Sequence, residues 1–228
     1  MTFVFDERSP DSPYVDTIWH TQSDGSGTFT SFTSVAVSHW EMVVTKQYGV
    51  ITFTARGPDT KATPAPVPAE AEFLGIKFKL GSYMPHLPVT NLVDNPVNLP
   101  DASSKSFYLH GSVWQFPDFE NADTFVERLV REGLLVRDPL VESVLKGQPQ
   151  PMTIRSVRRR FLRATGLTHG TVFQIERARQ ALALLERGVS ILDTVDQAGY
   201  ADQPHLTRSL KLYMGQTPAQ ILRINKPE

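Results

Sequence analysis

The sequence predicts an α+β protein, with a β-rich N-terminal half followed by an all-α C-terminal half, and three observations point to it. Up to about residue 115, β-branched and aromatic residues gather in short runs separated by proline-rich stretches. After Pro117, apolar residues recur at three- and four-residue spacing, and capping residues bracket each run. Charge is divided as well. The 228 residues carry a net charge of −1, but residues 150–228 hold 12 Lys/Arg against 6 Asp/Glu (+6), leaving 11 against 18 (−7) for residues 1–149. Such a separation suggests that the basic half meets a polyanion. The organisation read from this is a β-rich domain over 1–115, a linker with a helix over 116–137, and a helical domain over 138–228.

In the first half, residues 28–37 are dense in Thr, Phe and Val, and 42–45 and 50–54 are further β-branched runs. Residues 73–80 alternate, with Leu74, Ile76, Phe78 and Leu80 on one face and Lys77 and Lys79 on the other. Pro64, Pro66 and Pro68 alternate with small residues and read as an extended loop, and Pro85, Pro88, Pro96 and Pro100 mark a second irregular region. The runs fit an antiparallel barrel or sandwich.

In the second half, Phe125, Val126, Leu129 and Val130 place a helix over 122–131. Asp138 and Pro139 open the next one as cap and first residue, and Gly147 closes it. The stretch 147–152 contains two prolines and is a loop. Thr153 caps a third helix that Gly166 ends. Its spacing puts Ile154, Val157, Phe161 and Ala164 on a buried face and Arg155, Arg158, Arg159 and Arg163 together on the opposite one, with Arg160 to one side. Four guanidiniums with no acid among them repel one another unless an anion is present. That favours an anion-binding surface over a merely solvated cationic face.

Residues 171–187 follow with an apolar stripe of Val172, Ile175, Ala178, Leu182 and Leu185, which reads as core. At 1.5 Å per residue this helix is roughly 25 Å long, enough to space two reading helices about one turn of DNA apart. Ser190 and Asp193 resemble a capping box, with Ile191, Val195 and Ala198 inward, and Gly199 makes a turn. Asp202 then caps a helix with Leu206, Leu210 and Tyr213 buried, Arg208 and Lys211 outward, and Gln203 and Thr207 near its start. Helix, glycine turn and capped helix form the helix-turn-helix plan, whose second helix lays its first turns against base edges in the major groove.

The segment from Asp138 to Leu222 resembles the AraC-type DNA-binding domain of bacterial transcription regulators (the AraC/XylS family), which carries two helix-turn-helix units. The resemblance rests on Arg159-Arg160-Phe161, Gly166-Leu167, Arg177-x-Arg179-x-Ala181, Leu184-Leu185 and Gly188. It continues through Ala198-Gly199-Tyr200, Asp202-Gln203-x-His205-Leu206-Thr207-Arg208, Leu210-Lys211 and Gly215-x-Thr217-Pro218. The family implies that both second helices read successive major-groove segments. By position, the base-facing candidates are Arg155, Arg158 and Arg159 in the first unit and Gln203, His205 and Arg208 in the second. Arg163, Thr207 and Lys211 are the phosphate candidates, which orient the protein without reading sequence. His205 has an equal alternative as a helix-start residue touching its neighbours. One departure stands out: residues 147–151 lengthen the turn of the first unit, or displace its leading helix.

Many such regulators carry an N-terminal cupin-type barrel that binds an effector or makes a dimer, and RNA polymerase is the further partner of an activator. The resemblance therefore implies double-stranded DNA as partner, a small-molecule effector and a homodimer. Trp19, Trp40, Phe73, Phe78, Tyr83 and Trp114 are candidates to line an apolar effector pocket, with core packing the plainer alternative. The absence of cysteine excludes disulfides, thiolate metal sites and cysteine nucleophiles. His20, His39, His86 and His110 are scattered singly rather than in a metal-binding pattern, so neither metal nor cofactor is expected. No nucleophile–base spacing suggests catalysis, although a cupin-like enzyme or metal-binding protein with a DNA-binding tail is the alternative. A third possibility has the basic helices binding an acidic partner, including the chain's own −7 half. With no signal peptide and no apolar run of about 18 residues, a cytoplasmic location away from membranes is expected.

Overall fold

The computed structural model describes residues 4–23, 31–66 and 68–224, and within these the chain forms two compact units. Among these residues the first gathers 4–23, 39–58 and 68–168; the second gathers 31–38, 59–66 and 169–224. The predicted run over 28–30 lies outside the described residues.

The β-elements are β1 (Val4–Arg8), β2 (Val15–Ser23), β3 (Ser31–Ser34), β4 (Glu41–Gln47), β5 (Val50–Arg56), β6 (Thr63–Pro66) and β7 (Ala71–Phe78). After these come β8 (Ser82–Tyr83), β9 (Val97–Asn98), β10 (Asp101–Ser103), β11 (Ser106–Leu109), β12 (Ser112–Gln115) and β13 (Val136–Arg137). In the first unit an antiparallel sheet runs β1-β2-β7-β4-β5-β9, and β10-β11-β12 form a meander. Alternation explains the inner face: Leu74, Ile76 and Phe78 of β7 are buried with Met42 and Val44 of β4 and Phe53 of β5. Helix α1 (Ala122–Arg131), in the span expected from the sequence, adds Phe125, Val126 and Leu129 to the same core.

Two further helices belong to this unit. α2 (Pro139–Leu145) is capped by Asp138, whose carboxylate accepts the Leu140 amide. α3 (Ile154–Thr165) is capped by Thr153 and ends at Gly166 in the left-handed conformation. Gly166 sits against Val89 and Val93, where a Cβ would approach within 3.0 Å.

The second unit holds α4 (His169–Glu186), α5 (Ile191–Gln197), α6 (Gln203–Met214) and α7 (Pro218–Ile224). Val172, Ile175, Ala178 and Leu185 of α4 are buried as the stripe requires. It also holds a two-stranded ribbon, β3 with β6. The loop expected at Pro64 and Pro66 is thus a paired strand. Prolines two residues apart turn their missing N–H groups to the same edge, so the opposite edge pairs unhindered. The ribbon's flanks donate backbone hydrogen bonds from Ala36 to the Tyr213 carbonyl (2.7 Å) and from Ala62 to the Leu212 carbonyl (2.8 Å). These are among the last carbonyls of α6, which have no partner within the helix. Ser38 adds a hydrogen bond to Glu176 of α4.

Candidate nucleic-acid interface

The first helix-turn-helix consists of α2, an extended turn and α3. The long turn has not separated the two helices, which pack on each other. Arg160 sets their geometry: its Nη2 and Nε donate to the two oxygens of Asp138, at 2.6 and 3.1 Å. Asp138 is only 5% exposed and is also the α2 cap, so one buried carboxylate ties the start of α2 to the middle of α3. This forked pair holds Arg160 apart from the other arginines, as the helical spacing suggested.

Arg155, Arg158 and Arg159 are exposed on α3, and no carboxylate among the described residues pairs with them. Arg163 is exposed with its guanidinium 5.6 Å from the centre of the Tyr83 ring. The expected buried face needs one correction. Phe161 and Ala164 are buried and Val157 is half-buried, but Ile154 is 71% exposed. It stands in the first turn, where its side chain leans past the helix start and finds no core beneath it.

The second helix-turn-helix is α5, the turn at Gly199 and α6. Ser190 caps α5 by accepting the Asp193 amide, and its hydroxyl donates to the Asp193 carboxylate at 2.6 Å, so the N-cap half of the expected capping box forms while the carboxylate takes the hydroxyl in place of the Ser190 amide. Gly199 takes φ +68°, a left-handed value that favours glycine. Asp202 caps α6 by accepting the His205 amide at 2.7 Å. Leu206 and Leu210 are buried and Tyr213 is half-buried, while Gln203, Arg208 and Lys211 are exposed and Thr207 is half-buried. His205 is half-buried, its ring edge-on to Tyr200 at 5.1 Å and its Nε2 accepting from Arg177 at 3.4 Å.

Arg177 and the ribbon have structural roles that the sequence alone does not reveal. Arg177 reaches from α4 to the Gly199 carbonyl (3.2 Å) and to Gln174 (2.5 Å) and covers the Tyr200 ring. Tyr200 in turn exchanges a hydrogen bond with Ser209 at 2.9 Å. The turn is thereby held by Arg177 of α4 and by Ser209 of α6. The Arg177-x-Arg179 motif was the available signal for this; for the ribbon's role nothing local in sequence stands out.

The six effector-pocket candidates occupy different places in the first unit. Trp40 stacks on Phe78 at 4.1 Å and donates to the Ser82 carbonyl, and Trp114 is buried beneath Arg128. Trp19 lies flat across Gly75, where any Cβ would collide with the indole, and donates to Glu41 at 3.2 Å. Phe73 and Tyr83 are half-buried. None of the six lines the hollow of about 580 Å³ that lies between the β1–β2 connection and α1, bounded by Arg8, Tyr14, Asp123, Val126, Val130 and Arg131. His86 and His110 come together, with ring centres 4.4 Å apart. Among the described residues no group of three His, Cys, Asp or Glu side chains gathers to hold a metal, and no helix is long and apolar enough to cross a membrane.

Residues 151–224 match the family described as a helix-turn-helix domain. They are such a domain, of the AraC type whose motifs they carry, and the chain therefore contains the DNA-binding module of a transcriptional regulator. The crystal structure of ToxT from Vibrio cholerae O395 aligns over 98% of this chain and 99% of its own, at 10% identity and a TM-score of 0.37. No curated protein matches the chain.

Proposed function

We propose that the protein is a sequence-specific regulator that reads double-stranded DNA with α3 and α6 and answers to a small molecule bound by its β-rich unit. The observation that carries the reading is the exposed Arg155, Arg158 and Arg159 row, without acid partners, on the second helix of a helix-turn-helix. Unneutralised guanidiniums in that position have a natural partner in guanine edges and phosphates. Arg155, Arg158, Arg159, Gln203 and Arg208 are the base-reading candidates. His205, the sixth candidate, has one nitrogen engaged by Arg177 and its ring edge-on to Tyr200, which supports its alternative role as a helix-start residue touching its neighbours. Arg163, Thr207 and Lys211 hold phosphates. For the effector, the hollow beside α1 has the volume of a small-molecule site, and Arg8 already anchors its wall through Asp123 at 2.5 Å.

The test is fluorescence anisotropy on duplexes enriched from a random pool by the full chain, against scrambled duplex, in a salt series. Specific binding is expected, with Arg159→Ala and Arg208→Ala each losing about 1–3 kcal/mol and relaxing the sequence preference. Equal weak binding to both duplexes by the wild type would overturn the reading.

A further inference from the structure

Ile154 is out of place in a row of arginines. It is the first residue of α3 after the Thr153 cap and is 71% exposed, although its spacing from Phe161 and Ala164 is that of a core residue. One residue on is Arg155 and four on is Arg158, both exposed and both without a carboxylate partner among the described residues. A β-branched residue is a poor choice for an exposed helical position, since it neither favours the helix nor solvates well. The first turn of a reading helix is, however, the part laid closest to base edges. The apolar group that the major groove presents there is the C5-methyl of thymine.

We propose that Ile154 reads a thymine by packing on its C5-methyl, so that α3 joins one apolar base contact to its arginine contacts. The inference rests on the reading of α3 as a base-reading helix. Arg155 and Arg158 suit guanine edges, and Ile154 lies on the same turn. The site read by α3 is therefore a thymine within a base pair or two of a guanine, a composite that arginines alone do not specify.

The experiment replaces each thymine of the enriched duplex, one at a time, with deoxyuridine, which removes only the methyl group. Anisotropy then gives Kd for the wild type, Ile154→Ala and Ile154→Val, with circular dichroism melts alongside to confirm folding. One substitution, in the half-site read by α3, is expected to weaken wild-type binding by about 3- to 10-fold, the size of one buried methyl contact. Ile154→Ala is expected to bind the thymine duplex that much more weakly already and to be indifferent to the same substitution. Ile154→Val keeps part of the discrimination. A merely structural isoleucine would lower affinity for both duplexes alike and leave the thymine-to-uracil ratio unchanged, which overturns the proposal. If the wild type enriches a sequence and Arg158→Ala relaxes it but no thymine methyl matters to Ile154, only the present inference fails. If the wild type enriches no sequence, the DNA-reading assignment fails with it.

Discussion

The guanidinium of Arg177 lies 4.2 Å from the centre of the Tyr200 ring, while its Nη1 donates to the Gly199 carbonyl one residue earlier. A single side chain from α4 thus holds both the backbone and the ring of the α5–α6 turn. Cation–π attraction and a charged hydrogen bond together suggest that Arg177→Ala lowers the stability of the second unit by about 2 kcal/mol. Arg177→Lys is expected to fall between the two, because an ammonium keeps the charge but not the fork that reaches Gly199 and Gln174 at once. Urea unfolding followed by far-ultraviolet circular dichroism measures both.

Two glycines in the second unit take nearly the same left-handed backbone but face different surroundings. Gly199 (φ +68°) has open space where a Cβ would go; at Gly215 (φ +73°) a Cβ would lie 2.6 Å from Cγ2 of Thr33. Gly199→Ala should therefore cost only the conformational penalty, about 1–2 kcal/mol. Gly215→Ala should cost clearly more. Thr33→Ala removes the colliding methyl, so the double variant Thr33→Ala with Gly215→Ala should be more stable than the two single effects summed, a coupling that a double-mutant cycle reads directly.

Burial, and then the facing His110 ring, hold the His86 imidazole below its ordinary value near 6.5. In the fold His86 stays neutral at a pH where the unfolded chain has taken up a proton. The unfolded state then binds more protons, so stability falls as the pH drops below about 6.5 and the loss is complete once the folded group also titrates. His86→Phe removes this component, and its melting temperature should decline less than that of the wild type between pH 7.5 and 5.5. Parallel declines would show that His86 contributes nothing to the pH dependence.

Lys211 and Arg208 are both exposed on α6 but are assigned different tasks. Lys211→Gln is expected to weaken binding evenly on all duplexes and to lower the salt slope by about one. Arg208→Ala should instead change which sequences are preferred. Reversal of these two outcomes would exchange the assignments.

Much of this architecture was legible because its signals are local. Residue type and position alone mark Asp138, Thr153, Ser190 and Asp202 as helix caps, and each accepts the expected backbone amide. The burial of Phe161 and the exposure of Arg155, Arg158 and Arg159 follow from helical periodicity. Ile154 did not follow, because periodicity says which side of a helix a residue is on and not whether neighbouring structure extends far enough to cover it. The pairing of Pro64 and Pro66 with Thr33 and Ser31 was hidden for a related reason: strand partners some thirty residues apart leave no local trace, and proline suppresses the strand signal. Arg177 shows the same limit, since its partner turn lies 22 residues further on.

The ribbon bears on how this protein is taken apart or recombined. The amides of Ala36 and Ala62 complete the end of α6, yet both residues come from the first third of the chain. A fragment beginning at residue 138 would contain every helix of the two helix-turn-helix motifs and still leave the Leu212 and Tyr213 carbonyls without those donors. A chimaera that exchanged only the helical portion with a related regulator would bring together an α6 and a ribbon selected for different companions. The structural unit that holds α6 is therefore discontinuous, and a transplant that keeps it intact has to carry residues 31–38 and 59–66 along with 169–224.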